Sequence, residues 1–257
     1  MSDSLPVSGH RPRSLTTLLH PRRRVNVLGR GLAIALLLAL VLRVIGLPLW
    51  FATVVGLLTI AGPLSLKWLD DQDEFGRPLM VLSVLVFAQG FHGIEHIVQW
   101  VQFHMLRMPA KLSSGLISPL NAEIIHFAWN WLILLTVGYL VAKGMRNPWA
   151  WLLLAWAGAH TFEHSYLFMH YVQSGGAQGL PGILGAGGWL NRTANQQPAV
   201  AFICNLAPAI KTAPRLDVHF WWNVGETALL MLAARTTLRH GQLQPKPRQQ
   251  PTSGADT

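Results

Sequence analysis

Two copies of His-x-x-Glu-His stand inside apolar stretches of the chain, as His92-Gly-Ile-Glu95-His96 and His160-Thr-Phe-Glu163-His164. A second apolar segment follows each copy and carries His-Phe-x-Trp-Asn, first at His126 to Asn130 and then at His219 to Asn223. Ionisable groups are costly in hydrocarbon and mark functional sites by default. Imidazoles in threes are a common first shell for a transition metal, completed by a carboxylate or an open position. The expected ligands are therefore His92, His96, Glu123, His126, His160, His164, His219 and Glu226. Glu95 and Glu163 are the expected catalytic carboxylates, as bridging ligands, partners of imidazole N–H groups or proton carriers.

Helical spacing supports the set. His92, Glu95 and His96 fall at i, i+3 and i+4, on one face of a helix, and His160, Glu163 and His164 repeat the arrangement. Glu123, His126 and Asn130 share a face, as do His219, Asn223 and Glu226. Outside the tails and one acidic segment, the only carboxylates are Glu95, Glu123, Glu163, Asp217 and Glu226, all within a turn or two of a His. No Lys or Arg lies deep in the later apolar segments. Buried carboxylates there are expected to be protonated, paired with His or bound to metal.

The elements that position these residues follow from composition. The chain has 257 residues, of which 51% are hydrophobic and 12% charged, against about 25% charged in soluble domains. That indicates an all-α, polytopic membrane protein, and the eleven Trp suit interfacial belts. A net charge of +9 does not indicate nucleic-acid binding, because the basic residues gather in tails and loops. The single Cys204 excludes an intrachain disulfide and a CxxC motif. The first apolar segment lacks a small-residue cleavage site and does not read as a signal peptide.

At roughly 20 apolar residues per span, six spans are expected, over 29–46, 48–66, 78–103, 121–143, 147–173 and 217–236. The basic tail 1–28 and the polar tail 237–257, expected to be disordered, place both termini in the cytoplasm of a multi-pass cell-membrane protein. Residues 29–66 form a hairpin, 67–77 an acidic loop, and 174–216 a long outer loop. Residues 78–143 and 147–236 read as two halves of a parallel repeat, so that the last four spans make a pseudo-two-fold bundle. All six imidazoles then meet at one level toward the outer leaflet. Gly90 and Gly158, two residues before each motif, are expected to admit close helix approach. His104 and His170 fall off the main faces, near the outer ends.

The cofactor expected is a pair of transition-metal ions. Iron ranks ahead of copper, manganese and zinc because carboxylates accompany the imidazoles. Glu123-Ile-Ile-His126 has the spacing of the four-helix di-iron carboxylate proteins, but it occurs once. The function expected is a metal-dependent, non-haem oxidoreductase in the bilayer, with a lipophilic small substrate or a redox partner. A b-type haem protein is one alternative and a metal-ion or proton transporter another. Interhelical hydrogen bonding alone is the plainest alternative. A peptidase of the inverted-zincin type fits a duplicated, membrane-embedded motif poorly.

Overall fold

The computed structural model describes residues 12–194 and 196–243. Among these the chain is helical, with no strand. In order come α1 (Leu15–Leu19), α2 (Val25–Val44), α3 (Leu49–Phe75), α4 (Arg77–Trp100), α5 (Glu123–Ala142), α6 (Pro148–Gln173), the short α7 (Trp189–Ala194), α8 (Pro198–Leu206) and α9 (Ala209–Thr212), and α10 (Arg215–Arg239). Four segments are long and apolar enough to cross a membrane: Arg22–Val44, Leu49–Phe75, Arg77–Met105 and Glu123–Ala142. Helices α6 and α10 have 26 and 25 residues, roughly 39 and 37 Å at 1.5 Å per residue. Motif residues interrupt the apolar run of α6, and in α10 Arg215, Asp217, Arg235 and Arg239 do so together with His219, Asn223 and Glu226.

Local sequence sets the helix ends. Asn147 caps α6 by accepting a hydrogen bond from the Ala150 N–H at 3.0 Å, with Pro148 in the first turn. Gly76, at φ +85°, ends α3 and lets α4 begin at once. Helix α2 packs along α3, and α3 against α4. Helices α4, α5, α6 and α10 close a ring, in which α10 touches α4 and α6 while α5 touches α6 and, more lightly, α4.

The acidic segment is not a loop. Helix α3 continues through it to Phe75 because no breaker intervenes before Gly76, and its carboxylates have partners distant in sequence. Arg24 donates to Asp70 through Nε and Nη2 at 2.8 and 3.1 Å, and Arg22 pairs with Glu74. Lys67 and Asp71, both 4% exposed, form a buried pair, and Lys67 Nζ also donates to Leu18 O at 2.8 Å and Ser83 Oγ at 2.6 Å. The N-terminal segment therefore docks rather than trailing as a tail. Leu18 of α1 is fully buried, and α1 contacts α4 and α10. Lys67→Met strands the Asp71 carboxylate, and we expect a loss of about 3–5 kcal/mol. Thermal unfolding of the full chain in detergent measures it, and adding Asp71→Leu should restore most of the loss.

At the other edge of the pattern, α10 runs on to Arg239. Thr237 and Leu238 are buried, and the Asn147 amide lies 3.0 Å from Thr237 Oγ1 and 3.2 Å from Gln242 Oε1. The remainder of the expected tails, 1–11 and 244–257, lies outside the described residues. Gly90 and Gly158 admit no close approach, since a Cβ at either would meet nothing within 4 Å.

Candidate metal centre

Helix α4 carries its His pair toward its C-terminal end and α6 near its middle, and α5 and α10 carry one His each in their first or second turn. Adjacent helices running in opposite directions bring all six to one level. His92, His96 and His126 form one triad and His160, His164 and His219 another, with the donor atoms of each lying within 4.8 Å of one another. A metal with bonds of about 2.0 Å spaces tetrahedral donors roughly 3.3 Å apart, so modest ring rotations close each triad. The triads adjoin. Ring centroids of His96 and His219 are 4.4 Å apart, those of His126 and His219 4.6 Å, and those of His126 and His164 5.3 Å.

Equivalent residues make equivalent contacts in the two halves. Trp129 lies against His92 at 5.1 Å and Trp222 against His160 at 5.2 Å. Phe127 stacks on Phe168 of α6, and Phe220 on Trp100 of α4. Asn130 Nδ2 donates to His126 O at 2.9 Å and Asn223 Nδ2 to His219 O at 3.0 Å, one turn back along each helix. Both Asn Oδ1 atoms remain buried without a partner among the described residues.

The carboxylates surround the imidazoles and join neither triad among the described residues. Glu95 Oε1 accepts from the Ile117 N–H at 2.6 Å and its Oε2 from the Leu116 N–H at 2.7 Å. Glu163 Oε1 accepts from the Ile183 N–H at 2.9 Å. Each motif Glu thus holds the loop that follows its own helix, through Gly115-Leu-Ile in one half and Gly182-Ile-Leu in the other. A side chain at either glycine would displace the carboxylate, and at Gly115 it would also strain the backbone. A Cβ on Gly115, itself at φ +75°, would lie 2.9 Å from the Glu95 carboxyl carbon, and one on Gly182 would overlap the Glu163 carboxylate.

Glu123 pairs with Arg215, which also donates to Leu180 O. Arg215 is the cation that the charge inventory of the spans leaves out, because it stands just before the last apolar run. Glu226 Oε2 lies 3.1 Å from His160 Nδ1, and Gln89 Nε2 donates to the same oxygen at 3.4 Å. His104, off the main face, bonds Asp217 at 2.6 Å, and His170 packs on Tyr166.

These bonds fix which imidazole nitrogens remain for a metal. With Glu226 accepting as a carboxylate, His160 would donate through Nδ1 and keep Nε2 as its lone-pair nitrogen. Gln99 Nε2 donates to Asn121 Oδ1 at 2.6 Å, which turns Gln99 Oε1 toward His96 Nδ1 at 2.9 Å. His96 Nε2 is therefore also a lone-pair donor, 3.1 Å from His92 Nε2. His160 Nε2, His164 Nδ1 and His219 Nε2 are buried and have no hydrogen-bond partner among the described residues. Leaving buried polar atoms unpaired costs about 1–3 kcal/mol each, so this donor set fits a metal ion better than it fits packing alone.

The sequence reading missed Gln89, Gln99, Asn121, Arg215 and the two loop glycines. Gln99 stands at i+3 from His96 and Gln89 at i−3 from His92, so helical spacing carried a signal for both. Comparisons with protein-family models, curated proteins and solved structures found no match.

Proposed function

We propose that this chain is a six-span membrane protein that holds two transition-metal ions between six imidazoles and uses them as an oxidoreductase. In this reading α6 and α10 span the bilayer beside the four more apolar segments, with their polar residues turned into a pseudo-two-fold bundle. The basic residues at either end of the spans place both termini in the cytoplasm and the metal centre toward the outer side. The observation that carries the reading is the pair of adjoining His triads, one of them with a buried nitrogen on each of its three rings that has no partner among the described residues.

The donor chemistry refines the choice of metal. Carboxylate ligands favour iron and manganese, whereas imidazole suits copper, zinc, iron and nickel. The triads themselves are all nitrogen, while Glu123 Oε2 and Glu226 Oε1 are buried without a partner among the described residues, so iron and copper, which both join an imidazole preference to redox chemistry, suit the set best. A bound pair would supply electron transfer to a small or lipophilic substrate, while the protein fixes geometry and excludes water. Trp129 and Trp222 wall the imidazoles, and Glu95 and Glu163 each hold a loop through its N–H groups.

The alternatives fit less well. A porphyrin between two axial imidazoles holds them apart, but the rings here are in mutual contact at 4.4–5.3 Å. A transport path needs polar groups along the whole membrane normal. Away from the loops, the bundle centre is instead filled by residues such as Leu82, Val86, Val137, Leu140, Leu153 and Leu230.

The test is a metal count on the full chain purified in detergent, by mass spectrometry, with a visible spectrum. We expect about two non-haem transition ions per chain. A Soret band, or the absence of bound metal after reconstitution with copper, iron, manganese and zinc, overturns the proposal.

A further inference from the structure

The two triads are built on matched positions, yet their supporting residues do not match. Seven residues after the His of each His-Phe-x-Trp-Asn stands Ile133 in the first half and Glu226 in the second. Three residues after the last His of each His-x-x-Glu-His stands Gln99 in the first half and Leu167 in the second. All four are buried. The repeat therefore gives one triad a carboxylate and the other a neutral amide.

Their effects differ in kind. The Glu226 side chain is 2% exposed, that of His160 is fully buried, and the two are 3.1 Å apart. A carboxylate accepting an imidazole N–H raises the basicity of the opposite nitrogen and places a negative charge beside any ion bound there. In the other triad the Gln99 amide orients His96 but brings no charge.

The free nitrogens differ as well. In the Glu226-supported triad, His160 Nε2, His164 Nδ1 and His219 Nε2 all lack partners among the described residues, so an ion binds there without breaking a hydrogen bond. In the other, His96 Nε2 and His92 Nε2 already meet at 3.1 Å, and an ion must replace that contact.

We infer that the two positions load in order: His160, His164 and His219, supported by Glu226, take the first divalent transition ion, and His92, His96 and His126 take the second. Glu226 is a positioning residue that acts through His160. The inference rests on the two-metal reading and adds to it an order and a cause.

The probe is cobalt(II), added to metal-free full-length protein in detergent and followed by its visible bands and by competition with a chelator. Wild type should bind two ions in two resolved steps. Glu226→Gln, which keeps shape and removes the charge, should weaken the first step tenfold to a hundredfold and leave the second unchanged. Gln99→Leu, which installs the residue of the other half, should weaken only the second. Glu226→Gln acting equally on both steps, on the second alone or on neither overturns the order while leaving the two-metal reading intact. Failure of wild type to bind any cobalt overturns both.

Discussion

Exchanging His219 for Ala is expected to abolish one metal site and to weaken the other at least tenfold. His219 lies where the two triads meet, with ring centroids 4.4, 4.6 and 4.9 Å from His96, His126 and His164. Removing it takes one of three nitrogens from its own triad and opens the wall shared with the neighbour. Loss of a partner that merely orients a ligand costs 10–100-fold in affinity, and loss of the ligand itself should cost more. Metal content per chain, with helical content checked by circular dichroism, measures the effect. His104→Ala is the control, because His104 bonds Asp217 away from both triads and should leave the metal count at two.

The second large effect is expected at a glycine. Gly182→Ala should destabilise the chain by about 2–3 kcal/mol, because its Cβ would displace the Glu163 carboxylate and strand a backbone N–H in a water-poor site. The same change should speed metal loss to a chelator, since it frees the loop that Glu163 holds next to the His pair of its own motif. Glu163→Ala removes the obstruction and the bond together. The double variant should therefore be no less stable than Glu163→Ala alone, which is non-additivity of the kind that contacting residues show. Thermal unfolding of the three variants in detergent decides it, and additive losses would mean that glycine and glutamate do not act on each other.

What was legible in the sequence has a periodicity. Two His pairs at i, i+4 and two single His lie on helices that alternate in direction, so their convergence follows from the pattern. The roles of Glu95 and Glu163 do not. Both sit on the face that suggests ligation, and both turn instead to loop N–H groups 20–22 residues downstream, in segments with no helical period to read. Gly-Leu-Ile at 115–117 and Gly-Ile-Leu at 182–184 are the trace of that arrangement, visible once the repeat is extended past the helices.

The acidic stretch fails as a loop for a related reason. Asp70 and Glu74 are answered by Arg24 and Arg22, 46 and 52 residues away, and only the folded chain shows that their charges are paired. Polar residues also explain why α6 and α10 are less apolar than the other long helices. In α6 these include the motif residues turned inward to the site, and in α10 the exposed Arg235 and Arg239 add to them.

X-ray absorption at the metal edge of the reconstituted full-length protein tests the central claim most directly. The account predicts about three imidazole nitrogens per metal at about 2.0 Å, with the outer-shell scattering of rigid rings, and the loss of that pattern in a variant lacking His126 and His219. A first shell dominated by oxygen, or a spectrum unchanged in that variant, would contradict it.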